Sequence, residues 1–220
     1  TADSRDTQHH VAFRYILPWG AGDQQPIRAA LSPRRAVDGN APWNSGVSSI
    51  EFRPFYQAQT LTGEGVDAPS DFSDADEVWR LETRYRWDNR DNTNSPTEGS
   101  LSELIVTADP GSDNRASWWK WAASQSWYWS LGNWEDMAKQ QVLALNVYTS
   151  DTPSWNSTTE IDGQTEFHRP PEFASARLGG LYRLRSFQTG RFAGRSALSY
   201  SVEYRVTPEW QPLDEVPVFD

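Results

Sequence analysis

The chain has 220 residues, a formal net charge of -10 from 20 basic and 30 acidic residues, no Cys, one Met and twelve Trp. That is one domain's worth of chain, with no apolar run near the roughly 20 residues a helix needs to cross a bilayer, so a helical membrane protein is excluded. A β-barrel stays open, because barrel strands hide their hydrophobicity by alternation. The absence of Cys removes disulfide scaffolds, thiolate metal sites and cysteine nucleophiles, and the acidic balance argues against a nucleic-acid partner. Twelve Trp rule out a disordered chain and require a core, a ligand platform or a membrane interface. No charged, apolar and cleavable leader opens the sequence at Thr1, so an export signal is expected to be removed or to lie outside this window.

In chain order, Val11, Phe13, Tyr15 and Leu17 alternate with polar neighbours and predict a first strand. Further strands are predicted near 25–34 and 47–61. The stretch from Thr62 to Glu77, acidic and rich in Gly, Pro and Ser, reads as a solvated loop. The clearest strand follows, with Trp79, Leu81, Thr83, Tyr85 and Trp87 on one face and Arg80, Glu82, Arg84 and Arg86 on the other. Strands near 100–109, 115–131 and 140–149 come next, the first two joined by a tight Pro-Gly-Ser-Asp-Asn turn. A long, Pro- and Gly-containing connection runs from Ser150 to Arg195. The last strand sets Leu198, Tyr200, Val202, Tyr204 and Val206 against Ser199, Ser201, Glu203 and Arg205. The fold class is therefore all-β, an antiparallel transmembrane β-barrel with about eight strands visible, each close to the 9–11 residues a tilted membrane strand needs. Residues 1–220 are expected to form a single barrel domain or a barrel fragment.

One face of the segment from Arg115 to Leu131 reads Trp119, Trp121, Ala123, Gln125, Trp127, Trp129. The two Trp pairs are separated by a distance that projects to roughly 20 Å along the axis of a barrel with tilted strands, which suits two aromatic girdles at the membrane interfaces. Composition leaves two rivals that together weigh as much as the barrel: a soluble sandwich with a Trp core and a module that stacks sugars on Trp.

Asp67, Asp71, Asp74, Asp76 and Glu77 lack the spacing and turn glycine of a calcium loop and are read as solvated. His9, His10 and His168 have no metal spacing, and neither a nucleophile elbow nor a phosphate loop is present. We therefore expect no enzymatic activity, no metal and no cofactor. Between Arg169 and Arg195 lie six arginines (169, 177, 183, 185, 191 and 195) against Glu172 alone, inside an acidic chain. Such a segment either folds inward onto lumen carboxylates, with Glu82, Glu103 and Glu203 the inward acids, or is a solvated basic loop or a surface patch for anionic headgroups.

At Gly179-Gly180-Leu181-Tyr182-Arg183-Leu184-Arg185-Ser186-Phe187, with Phe192, Gly194 and Glu203-Tyr204-Arg205 after it, the sequence resembles the bacterial surface antigen family, outer-membrane barrels of the BamA/TamA type. Arg185-Ser186-Phe187 resembles the tripeptide of that family's inward-folded sixth extracellular loop, with Ser in place of Gly. Asp88-Asn89-Arg90-Asp91-Asn92 with Pro96-Thr97-Glu98-Gly99 is similar to the family's periplasmic turn. The resemblance implies a sixteen-stranded barrel of which this window is the central part, without periplasmic repeats. It also implies that the loop arginine pairs with a carboxylate on a later strand, for which Phe219-Asp220 is a poor equivalent. The expected location is the bacterial outer membrane and the expected partners are outer-membrane lipids, with unfolded outer-membrane protein clients or periplasmic accessory proteins as further candidates. The leading expectation is a barrel related to insertion and translocation factors. The alternatives are a structural or pore-type barrel and a soluble sugar-binding β-protein.

Overall fold

A computed structural model describes residues 3–62, 75–135, 137–181 and 183–210. The acidic-loop residues Asp67, Asp71 and Asp74 and the Phe219-Asp220 pair lie outside the described residues.

Period-2 alternation produces one large antiparallel sheet of eight strands. They are β1 (Asp3–His10), β2 (Phe13–Ile16), β3 (Val47–Thr62), β4 (Ala75–Asp88), β5 (Gly99–Asp109), β6 (Trp118–Trp134), β7 (Ala138–Asp151) and, after two small hairpins, a long final strand. The hairpins are β8 (Thr158–Ile161) with β9 (Gln164–Phe167), and β10 (Ala176–Leu178) with β11 (Phe192–Gly194). The final strand is β12 (Ser196–Pro208), and it pairs back onto β7. From β3 to β7 each strand pairs with its successor, and among the described residues the outward edges of β1/β2 and β12 pair with nothing. The sheet is therefore an open arc, not a closed barrel.

Register decides which side chains share a face, because residues directly opposite one another point the same way. One row runs Tyr15, Ile50, Tyr85, Leu104, Ala123, Thr149, Leu198 across the whole sheet. The adjacent row on the other side runs Arg14, Glu51, Arg84, Ile105, Ala122, Ser150, Ala197. We call the first face outer and the second inner. Trp79, Leu81, Phe52, Leu104, Val106, Trp119, Trp129, Tyr200, Val202 and Tyr204 are exposed on the outer face. Trp119, Trp121, Trp127 and Trp129 share it, the first pair at the start of β6 and the second past its middle.

Three expectations need correction. The segment near 25–34 is not a strand: Pro26–Leu31 forms a short helix, α1. Pro26 stands in its first turn, where its missing N–H is no loss, and Ala29, Ala30 and Leu31 favour helix. The strand expected from Val11 to Leu17 shortens to β2, Phe13–Ile16, and β1, Asp3–His10, precedes it unforeseen. β1 and β2 both pair with β3 and are interrupted at Val11–Ala12, opposite Arg53–Pro54, where Pro54 has no N–H to give the ladder. The Ser150–Arg195 connection is not plain loop, since both small hairpins lie in it. The Pro-Gly-Ser-Asp-Asn turn is as expected: Ser112 and Arg115 close it with reciprocal backbone bonds of 2.9 and 3.3 Å.

Candidate functional site

Alternation puts arginines and carboxylates side by side on the inner face, and cross-strand register lets them interlock. Glu51 accepts from Arg14 at 2.6 Å and Arg53 at 2.7 Å; Arg53 also lies 3.5 Å from Glu82, which is 3.2 Å from Arg84. Arg86 lies between Asp88 at 3.2 Å and Glu103 at 3.9 Å. This half of the wall is a charge ladder. The inner face of β6, β7 and β12 is different, with Ala122, Ser124, Ser126, Ala144, Ser150, Ala197, Ser199 and Ser201. Small side chains there leave room for a covering element.

That element is the arm formed by residues 169–195. Its stem is the β10/β11 hairpin, with Ala176 opposite Gly194 and Leu178 opposite Phe192. Gly179 and Gly180 hold φ of +113° and +107°, and a Cβ on Gly179 would come within 2.3 Å of the Gln188 carbonyl oxygen. Only glycine permits that conformation and that approach. At the tip, Arg185 and Ser186 are the central residues of a turn closed by the Phe187 amide on the Leu184 carbonyl at 3.0 Å. The Arg183 guanidinium lies 3.5 Å from the centroid of the Tyr148 ring on the inner face. Arg185 donates through Nη2 to Glu203 Oε1 at 3.1 Å and through Nε to the Leu181 carbonyl at 3.0 Å. A cavity of about 370 Å³ remains between tip and wall, lined by Glu103, Tyr128, Asn146, Arg183, Glu203 and Arg205 among others.

Of the three inward acids, Glu203 is therefore the one that meets Arg185. Glu82 and Glu103 are engaged by strand arginines instead. The contact is neither buried nor bidentate: Glu203 gives its other oxygen to Arg205 at 2.8 Å, and the side chains of Arg185 and Glu203 are 72% and 34% exposed. Phe187 packs edge-to-face on Phe192 at 5.0 Å, across the arm.

The segment similar to a periplasmic turn closes on itself at the opposite end of β4 and β5. Arg90 grips Asp88 with two bonds of 2.9 Å, and Arg35 reaches the same carboxylate at 3.5 Å from the β2–β3 connection. The Asp88 and Arg35 side chains are only 7% and 9% exposed. Asp91 accepts from the Thr97 hydroxyl at 2.7 Å and from the Thr97 and Glu98 amides at 2.9 and 3.1 Å. Burial pushes the Asp91 carboxyl up, but these bonds outweigh it and hold it below its usual value. Asn92 caps the amides of Asn94 and Ser95, and Pro96 is buried beneath them. Gly99, at φ +93°, lies where a Cβ would be 2.0 Å from the Asn89 carbonyl oxygen.

Sequence reasoning missed four contributors. Arg35 joins the turn from 53 residues upstream of Asp88, and Tyr148 receives Arg183. Lys120 donates to the carbonyl oxygens of Ala174 and Ser175, and Phe173 with Ala174 packs into a small core with Val78 and Trp118. The six-arginine count could have flagged a cation–π acceptor; bonds to backbone carbonyls leave no mark in a sequence.

No curated protein and no solved structure matches the chain. The family model of the Omp85 superfamily domain matches residues 11–217. That span takes in the alternating wall, the turn at Asp88–Gly99 and the arm with Arg185, and the chain belongs to the Omp85 superfamily, whose members are outer-membrane proteins of a β-barrel fold linked to protein insertion and translocation.

Proposed function

We propose that this chain forms part of the wall of an outer-membrane barrel that assists insertion or translocation of other proteins, with the inward arm as its working element. The observation that carries the reading is the arm itself, folded over the inner face with Arg185 on Glu203. The outer face, apolar and carrying Trp pairs at two levels of β6, suits lipid between them and headgroups at the two levels. The long connection between β7 and β12, against the short one between β6 and β7, supports an orientation with the arm's root outward and the Asp88–Gly99 turn toward the periplasm. In this reading no bond is made or broken. An incoming strand is templated by main-chain pairing at a sheet edge, and the partners are outer-membrane lipids, unfolded outer-membrane proteins and periplasmic accessory proteins.

The test is reconstitution of the full-length protein into liposomes with a urea-denatured outer-membrane protein as client. Faster folding of the client than in empty liposomes supports the reading; equal rates reject it. One observation favours a structural or pore-type barrel as the second reading: the inner charge ladder from β2 to β5 is what a wet lumen requires. Ion conductance without faster client folding would select it.

A further inference from the structure

The arm is attached at two places of different character. At its foot, the short turn Glu172–Ala174 is held by Ala174, which is buried with Val78 and Trp118, and Phe173 packs against the same cluster. Lys120, on the inner face of β6, reaches across and donates to the carbonyl oxygens of Ala174 and Ser175. The arm's return is fixed as well, by the Thr152 amide on the Arg195 carbonyl at 3.0 Å and by Arg195 on Asp151 at 3.3 Å. At its tip, by contrast, Leu184, Arg185, Ser186, Phe187 and Gln188 are all exposed; beside the Arg183 guanidinium on the Tyr148 ring, Arg185 holds Glu203 by one contact while Arg205 occupies the other oxygen.

Lys120 is an unexpected choice for its place. Its charged neighbours are Arg80 and Arg177 as well as Glu82, so it faces two like charges and one acid. A lysine surrounded in this way is held by its hydrogen bonds to the carbonyls more than by a carboxylate. Two carbonyl acceptors on consecutive residues fix the backbone of the foot whatever side chains it carries. A second cation at the tip, bonded to a shared and exposed carboxylate, fixes nothing as firmly.

We propose that Lys120 is the positioning residue of the arm: it pins the foot to β6, so that the arm moves by releasing only its tip from Glu203 and Tyr148. The inference deepens the functional reading above and rests on it for the arm's role, but its test does not. These 220 residues hold no Cys, so cysteines for spin labels can be introduced into the full-length protein once any Cys outside them is replaced by Ser. One label goes at Ser130, exposed near the far end of β6, and the other at Glu172 on the foot or Ser186 at the tip. Electron–electron distance distributions are then measured on the full-length protein in detergent.

The foot distance should be narrow in the parent protein and in Arg185→Ala, whereas the tip distance should broaden in Arg185→Ala. Lys120→Met should broaden both, and Lys120→Arg, which keeps the donors, should restore the foot. Should Lys120→Met not fold, Lys120→Gln, with one remaining amide donor pair, should give an intermediate foot distribution. An unchanged foot in Lys120→Met or Lys120→Gln overturns the proposal, as does a foot loosened equally by Arg185→Ala. Failure of the barrel reading shows separately, as loss of detergent partitioning in the parent protein.

Discussion

Removing the Asp88 carboxylate should be the most damaging single change in the turn beneath the wall. Three arginines converge on it: Arg90 by two bonds of 2.9 Å, Arg86 at 3.2 Å and Arg35 at 3.5 Å. Arg86 keeps a second acid, Glu103 at 3.9 Å, and is itself partly exposed. Arg35 retains the carbonyl of Ala29 at 3.2 Å, but neither it nor Arg90 has another carboxylate among the described residues. Asp88→Ala thus strands two nearly buried cations, and breaking a buried pair in this way costs about 3–5 kcal/mol. Partial relief through carbonyls and the turn's proximity to water place the expected loss at the lower end, about 3 kcal/mol. With a urea slope of about 1–3 kcal/mol per molar, the unfolding midpoint of the detergent-solubilised protein should fall by roughly 1–3 M. Asp88→Ala with Arg90→Ala should recover part of that loss, because one stranded cation leaves with its partner. A midpoint for Asp88→Ala within about 0.3 M of the parent, or a double variant worse than the sum of the singles, would refute this account of the cluster.

Leu104→Arg, at the centre of β5 on the outer face, should cost about 2–4 kcal/mol in lipid, whereas Ser124→Arg on the inner face should cost little; equal urea midpoints for the two would contradict the assignment of faces. Arg185→Ala should lower stability by only about 0.2–1 kcal/mol, because its pair with Glu203 is exposed, and Arg191→Ala by less; the check is heat resistance on gels. Asp91 has a lowered pKa when folded, so its stabilisation is complete above about pH 4–5 and is lost as the pH falls through that lowered value. Midpoints measured from pH 6 down to pH 3 should therefore decline less steeply in Asp91→Asn than in the parent.

The sequence made some elements plain and hid others for definable reasons. β4 and β12 announce themselves because charged or hydroxylated residues alternate with large apolar ones, and a one-residue slip would reverse every side chain. α1 reads as a strand in the sequence because six residues are too few to establish a 3.6-residue period; Pro26 at its start is the better signal. Glu203 could be named as one of three acids on the inner face, but only register shows that Glu82 and Glu103 are already held by Arg53, Arg84 and Arg86. The exposure of the Arg185 contact was also hidden, since it depends on how far the arm reaches across the wall.

The interruption between β1 and β2 bears on how the sheet sits relative to the bilayer. At about 3.3 Å per residue and a tilt near 40°, the sixteen residues of β3 climb roughly 40 Å, well beyond the ≈ 25 Å apolar band of an outer-membrane barrel. Its surplus must stand in water. Asp3-Ser4-Arg5-Asp6-Thr7-Gln8-His9-His10, the strand opposite that upper part, has no aliphatic or aromatic hydrocarbon residue, whereas Phe13 and Tyr15 begin just below Pro54. Pro54 thus marks the change along this edge from a stretch free of hydrocarbon side chains to an aromatic one. Above it, the outward main-chain groups of β1 can be hydrated; below it, those of β2 have no water and must find a neighbouring strand. Along this edge, the stretch that demands a lipid-phase neighbour is only Phe13–Ile16, four residues long.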